Sequence, residues 1–471
     1  MLHISTRGEA PALPFTDALM TGLASDGGLY LPERFPALSH DAIAGFAGRP
    51  YAEVAEEVLG LLADGEIETQ AFAAMIKDAY AGFRHPAVCP LVQLADNLFV
   101  LELFHGPTLA FKDVAMQLLG RLMDHVLAAR GQRATIVGAT SGDTGSAAVA
   151  AFENSSRADV FILYPHGRVS EVQRRQMTTV AAPNVHALAI EGSFDDCQAI
   201  VKALFGREDF RTEMRLSGVN SINWARVAAQ AVYYFTAAVA LGAPHREVAF
   251  SVPTGNFGDV LAGWVARRMG LPIAGLTIAT NANDILVRSL ASGRYEVTGV
   301  VPTTSPSMDI QVSSNFERLL FDAGGRDPEP VRRAMASLRQ SGAFTIAPET
   351  LARIRSEFEA EAIGEAEVAG EIGTTWREAG YLLDPHTAIA VKAARTRLAR
   401  DPATPVVALS TAHPAKFPDA VEAASGVRPP LPPHLADLMG RPERFTVLPN
   451  DVDAVAAFLS REARAVRGQA A

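Results

Sequence analysis

Residues 134–152, ATIVGATSGDTGSAAVAAF, decide the fold class. An apolar, β-branched run (ATIVGAT) ends in a small, glycine-rich turn (SGDTGS), and AAVAAF continues with helical character. Strand, turn and helix in that order make half of a βαβ unit. Downstream, DVFILYP (159–165) is the next strand and VSEVQRRQMTTV (169–180) the next helix; NVHALAI (184–190) and EGSFDDCQAIVKALF (191–205) repeat the unit. Upstream, LFVLELF (98–104) precedes the helical run LAFKDVAMQLLGRLMDHVLAAR (109–130). Further on, EVAFSVP (247–253) passes through TGNFGD into VLAGWVARRMG, and PIAGLTIAT (272–280) and PVVALST (405–411) are further apolar strands. Short apolar strands alternating with helices predict an α/β protein with open, mostly parallel sheets flanked by helices on both faces.

Residues 1–90 have a different character. YAEVAEEVLGLLADG (51–65) and ETQAFAAMIKDAYAGF (68–83) carry apolar residues at helical spacing, and SDGGLYLPERFP (25–36) is turn-rich. The expected organisation is a mostly helical N-terminal domain over 1–90, an α/β domain over 91–245, a second α/β domain over 246–425, and a C-terminal tail over 426–471 packed on the body. A length of 471 residues suits two or three domains.

Composition narrows the function classes. Apolar residues make up 48% and charged residues 20%, and the net charge is −10 with no block of like charge. Neither nucleic acid nor an anionic membrane is an expected partner. The longest apolar run, AAQAVYYFTAAVALGAP (228–244), falls short of the ~20 residues that span a bilayer. The N-terminal residues have no basic segment followed by an apolar one, so no signal peptide is expected. Two distant cysteines, Cys89 and Cys197, fit a reducing cytoplasm and lack zinc-site spacing, so no metal is expected. The sequence assigns no oligomeric state.

Two strand–turn–helix junctions can take an anion, because free N–H groups and a positive helix end meet there. A tight βα turn with no ligand is the alternative at both. Neither is a P-loop or a GxGxxG turn. SGDTG holds Asp143, which would repel a phosphate dianion unless it serves as a helix cap. The turn Gly255, Asn256, Phe257 and Gly258 carries no charge until Asp259, so a permanent phosphate is expected there. Ser141, Gly142, Asp143 and Thr144 are expected to orient a ligand carboxylate or hydroxyl.

Only five of the 42 basic residues are lysines: Lys77, Lys112, Lys202, Lys392 and Lys416. Arginine cannot deprotonate, so a position that stays lysine points to a need for an amine. Lys77, Lys202 and Lys392 lie in helical patterns, whereas Lys112 and Lys416 lie in motifs dense with Gly, Pro, His and Thr. Burial beside Leu109, Ala110 and Phe111, together with a helix start, would lower the amine of Lys112 from the usual ~10.4. Asp113 would oppose this if it faced the amine. A desolvated lysine is a candidate Schiff-base former, and with a phosphate turn and no nicotinamide fingerprint it points to pyridoxal phosphate.

The motifs LFHGPTLAFKD, GATSGDTGSAA, NSINWAR, PTGNFGD, SMDIQVSSNFERL, DPHTA and STAHPAKF, in this order, resemble the threonine synthases of bacteria and fungi. STRG and SDGGLYLP near the N-terminus fit the same family. The resemblance implies a fold-type-II pyridoxal 5'-phosphate enzyme, similar to the tryptophan synthase β-subunit. Its implied reaction, the last step of threonine biosynthesis, turns O-phospho-L-homoserine and water into L-threonine and phosphate by β,γ-elimination and water addition. It implies that Lys112 holds the cofactor beside Phe111. It further implies that Gly255, Asn256 and Phe257 cradle the cofactor phosphate, with Gly258 and Asp259 close behind, that Thr411 faces the pyridine nitrogen, and that Ser141–Thr144 grip the substrate carboxylate. Arg226, in the first turn of a helix expected to be capped by Ser221, and Lys416 are expected to bind the leaving phosphate; structural or solvated ion pairs are the alternative. Asn223 and His105 are candidates for lining the site. His386 is expected to sit in the first turn of a helix capped by Asp384 with Pro385 at its first position. Rival readings are a threonine dehydratase, a β-replacing synthase, an O-phosphohomoserine phospholyase, and a ligand-binding paralogue without catalysis.

Overall fold

The computed structural model describes residues 1–467. The last four residues of the expected tail lie outside the described residues. Two parallel sheets organise the chain. The larger has six strands in the order Phe358–Ala362, Ile273–Thr280, Val248–Pro253, Val406–Ser410, Leu98–Glu102 and Leu91–Ala95. All of its pairs are parallel except the last, where Leu91–Ala95 turns back antiparallel on Leu98–Glu102. The smaller has five strands, all pairs parallel, in the order Thr446–Pro449, Val185–Glu191, Ala158–Pro165, Ala134–Ala139 and Leu216–Ser217. Strand Ala158–Pro165 is buried along its whole length, as a strand covered on both faces must be.

This topology corrects the linear domain limits. Strand Leu98–Glu102, which leads to Lys112, pairs with Val406–Ser410 and so belongs to the sheet of the 255–258 turn. The smaller sheet holds the SGDTG turn, and the tail completes it through Thr446–Pro449. Chain order and sheet membership differ because parallel neighbours need long crossovers, which lets an intervening unit be inserted. Strand Phe358–Ala362 (FEAEA) has helix-forming residues. It is extended because Leu276–Thr280 offers a parallel partner, while Glu359 bonds Arg397 and Arg400 and Glu361 bonds Thr396 on the helix Pro385–Arg400.

The N-terminal unit is mostly helical, as expected, with helices Phe15–Thr21, Tyr51–Ala63 and Thr69–Ala81 and a small antiparallel pair of His3–Ser5 with Tyr30–Pro32. Its core side chains Val54, Val58 and Leu62 recur every four residues and are fully buried. Two helices bind the molecule together: Lys112–Ala129 and Trp224–Ala240, the second with fourteen of its seventeen residues buried. Among the described residues no helix is long and apolar enough to cross a membrane. Cys89 and Cys197 are both free and buried.

Candidate active site

The carboxyl ends of the large-sheet strands bring the distant motifs together, where open α/β sheets collect ligands. Strand Leu98–Glu102 runs into the HGPT loop, and Leu109 takes a left-handed φ of 61° before the Lys112 helix begins. Strand Val406–Ser410 runs into Thr411. The two segments are stapled: Phe111 N donates to Thr411 O at 2.8 Å and His413 N to Leu109 O at 3.0 Å. Thr411 is 6% exposed, and its hydroxyl takes no hydrogen bond among the described residues.

Asp113 does not face Lys112. Its carboxylate accepts from Thr108 N and from Thr108 Oγ1, both at 2.7 Å, closing the loop. Gly106 must be glycine here, since a Cβ would lie 2.4 Å from that of Asp113. Burial pushes the Asp113 carboxyl up to about 6.

The Lys112 amine lies 3.6 Å from Asp143 Oδ2. Burial lowers its pKa, and the like charges of Lys416 and Arg226 add to this, against the pull of Asp143. Asp143 is the first residue of the helix Asp143–Phe152 and is not its cap; that position is Gly142, at φ 148°. Its carboxylate accepts from Lys416 Nζ at 2.8 Å, Gln173 Nε2 at 2.8 Å and Ser307 Oγ at 3.2 Å. Burial alone would raise the Asp143 carboxyl, yet Lys416 and then Lys112 hold it far below the carboxylate range. The turn around it is braced by Thr140, whose hydroxyl accepts from Gly142 N and Gly145 N at 2.9 Å each. The Ser141 and Thr144 hydroxyls take no hydrogen bond among the described residues and are half-buried.

Lys416 departs from expectation. It is fully buried, and its ammonium is engaged by Asp143 and by the Thr108 carbonyl at 2.7 Å. Two of its three N–H donors are thus engaged within the chain. Arg226 is the reverse. The residue is 3% exposed, and its guanidinium donates once to Val219 O at 3.0 Å, leaves Nε without a partner, and has no carboxylate within ion-pair distance among the described residues. Burial lowers its pKa to about 10. A buried cation without a counter-charge favours a neighbouring anion.

The helix holding Arg226 begins at Trp224 and is capped by Asn223 rather than Ser221; Asn223 Oδ1 accepts from Ala225 N at 3.0 Å and its Nδ2 donates to Leu19 O at 2.8 Å. Both ends of the Asn223 side chain are thus hydrogen-bonded within the chain. His105 pairs with Glu102 at 2.7 Å. His386 has the expected place, with Asp384 capping the helix and Pro385 at its start.

The turn Gly255–Gly258 opens the next helix. Helix Gly258–Arg268 starts without a side-chain cap, and Phe257 holds a left-handed φ of 65°. No acceptor among the described residues takes the N–H groups of Asn256, Phe257, Gly258 and Asp259. The carbonyls of the turn are tied outward instead: Gly255 O to Ser313 Oγ at 2.6 Å and Asn256 O to Asn315 N at 3.1 Å. A Cβ on Gly255 would sit 3.0 Å from Ser307 O. The side chain of Asp259, next along the chain, points to two tyrosines. Its carboxylate Oδ1 accepts from Tyr233 Oη and from Tyr234 Oη, and burial pushes the carboxyl up to about 7.

These residues fit pyridoxal phosphate: a buried amine of lowered basicity, a hydroxyl at a strand end, and a glycine turn with unclaimed N–H donors. Sequence reasoning missed Gln173 and Ser307, which hold Asp143. The only sequence signal for them is a polar residue at a helix start and a serine in SMDIQ, too common to single out.

Comparison with known proteins agrees. The family model for pyridoxal-phosphate dependent enzymes matches residues 86–412, that for the threonine synthase N terminus residues 2–80, and that for the threonine synthase C-terminal region residues 387–459. A threonine synthase of Pseudomonas aeruginosa is 54% identical over 462 residues, covering 98% of each chain. The crystal structure of PLP-bound threonine synthase from Brucella melitensis superposes with a TM-score of 0.97 at 60% identity, covering 98% of this chain and 100% of that one. The yeast enzyme superposes with a TM-score of 0.93 at 40% identity, covering 98% of both chains.

Proposed function

The chain belongs to the threonine synthase family of pyridoxal-phosphate enzymes, and from that premise we propose that it acts on O-phospho-L-homoserine, releasing phosphate and forming L-threonine with water, in the cytoplasm. The observation that carries this reading is the buried Arg226 guanidinium, which has no acidic partner among the described residues. An enzyme that eliminates water or ammonia has no use for a second anion site; one that expels a phosphate does.

Pyridoxal phosphate, when bound, supplies the electron sink that makes the substrate's α-proton removable. Lys112 would hold it covalently, with Phe111 alongside, the N–H groups of the Gly255–Gly258 turn would bind its phosphate, and the Thr411 hydroxyl would meet its ring nitrogen. A hydroxyl holds a proton on that nitrogen less firmly than a carboxylate would, which suits an eliminating enzyme. Ser141 and Thr144 offer free hydroxyls for the substrate's α-carboxylate. The freed Lys112 Nζ takes the proton from the α-carbon, gives it up, and then takes one from the β-carbon as the phosphate leaves the γ-carbon; a proton returns to the γ-carbon, water adds at the β-carbon with loss of a proton, and Lys112 returns a proton to the α-carbon. One amine serves as both base and acid only if its pKa lies near the working pH, and burial with two nearby cations moves Lys112 that way. Arg226 takes the departing phosphate by paired, charge-assisted hydrogen bonds.

The test is product analysis. Purified, cofactor-loaded enzyme with O-phospho-L-homoserine is expected to release phosphate and L-threonine in equal amounts. Phosphate with 2-oxobutyrate and no threonine would make it a phospholyase instead.

A further inference from the structure

In a chain with five lysines, Lys416 is 0% exposed. A buried ammonium is costly unless paired. It meets Asp143 Oδ1 at 2.8 Å and the Thr108 carbonyl at 2.7 Å, whereas Lys112 stands 3.6 Å from the other oxygen of the same carboxylate. Two cations thus share one anion unequally, and Gln173 Nε2 and Ser307 Oγ hold that anion in place. We infer that Lys416 is a positioning residue for cofactor attachment: it occupies the Asp143 carboxylate and so leaves Lys112 free to react as an amine. The inference rests on Lys112 being the cofactor lysine.

Attachment needs the nitrogen lone pair. The Lys112 amine attacks the aldehyde carbon of pyridoxal phosphate, a carbon–nitrogen double bond forms, and the aldehyde oxygen leaves as water with the two amine protons. An ammonium has no lone pair and cannot start this step. The charged groups facing Lys112 are Asp143 at the start of its helix, Lys416 from the short turn Pro414–Lys416, and Arg226 from the helix Trp224–Ala240. Asp113, next along the chain, is turned to Thr108. Without Lys416, Asp143 would face Lys112 alone, and a one-to-one buried pair would hold the ammonium. With Lys416, its charge is answered and the second amine is repelled by a neighbour of like sign.

The experiment measures the rate at which cofactor-free protein takes up pyridoxal phosphate covalently across pH, read as visible absorbance without turnover. Borohydride reduction and peptide mapping locate the attachment. A label on any residue but Lys112 removes the premise, whatever the pH profile shows. Lys416→Met is expected to move the midpoint of the profile up by about one pH unit or more. Lys416→Met combined with Asp143→Asn is expected to abolish that rise, giving a midpoint at or below that of the wild type. An unmoved midpoint in the single variant overturns the inference, and so does a rise that persists once Asp143 is neutralised. Removing one member of a buried pair can unfold a protein, whereas replacing both is better tolerated. If only the double variant folds, a midpoint above that of the wild type is the overturning result.

Discussion

Arg226→Met is expected to make the protein more stable and far less active, an opposition in sign that few substitutions produce. The side chain is 3% exposed and makes one hydrogen bond, with its Nε buried and unpartnered. Burial lowers its pKa to about 10, and a cation whose folded-state pKa is depressed destabilises the fold at every pH below that value. The depression corresponds to about 3 kcal/mol at neutral pH, relieved only as pH climbs through 10. An apolar side chain of similar volume removes that cost, so a gain of about 1–3 kcal/mol is expected in the cofactor-free protein, read from urea unfolding. The opposite loss falls on catalysis. Two charge-assisted hydrogen bonds to a phosphate, at about 1.5–3 kcal/mol each, correspond to a fall in kcat/KM of about 10²- to 10⁴-fold. Inorganic phosphate is expected to raise the unfolding temperature of the wild type and not of the variant, since only a ligand bound to the native state stabilises it. Affinity for pyridoxal phosphate is expected to stay within a few fold. A variant that loses stability, or whose cofactor affinity falls in step with its activity, would refute the assignment of Arg226 to the substrate.

Asp259 predicts a pH dependence of a different kind. Its carboxyl is raised to about 7, so between about pH 4 and 7 the folded chain keeps a proton the unfolded chain has lost, and stability falls as pH rises through that window. Asp259→Asn removes the fall: wild type and variant are expected to match near pH 4, with the variant more stable by about 2–4 kcal/mol at pH 8, measured by urea unfolding. Parallel curves at both pH values would contradict it. Gly142→Ala is expected to cost at least about 2 kcal/mol of stability and to displace Asp143, because φ is 148° and a Cβ would lie 2.4 Å from Gln173 Cδ. A variant as stable as the wild type, with unchanged cofactor uptake, would show that the turn yields.

Parts of the candidate site were legible as unusual residues in short runs. A lysine beside apolar neighbours, an uncharged GNFG turn and an SGDTG turn each stand out locally. What was illegible depends on partners far away in sequence. Lys416 looked available until Asp143 and Thr108 closed on it, contacts that span 273 and 308 residues. Asp259 follows a glycine turn and looked like part of it, but Tyr233 and Tyr234 on another helix claim its carboxylate. That Asn223 caps its helix and ties to Leu19 is likewise a contact across 204 residues. The strand motifs predicted mostly parallel sheets, as found. Their membership was hidden because strand length and hydrophobicity say that a strand is buried, not which neighbour it pairs with.

The pairing of Leu98–Glu102 with Val406–Ser410 also sets a timetable for the chain. During synthesis at about 5–20 residues per second, the strand leading to Lys112 waits some tens of seconds for its neighbour to be made. The smaller sheet, apart from its edge strand Thr446–Pro449, is complete in the chain by residue 217, long before the larger one can close. Contacts so distant in sequence make for slow folding, because loop entropy is lost before the contacts repay it. The staple from Phe111 to Thr411 therefore belongs to the last stage of assembly. A ribosome-bound fragment ending before residue 406 would hold the lysine without the pocket around it. With Lys112 in its proposed role, cofactor capture is tied to near-completion of the chain.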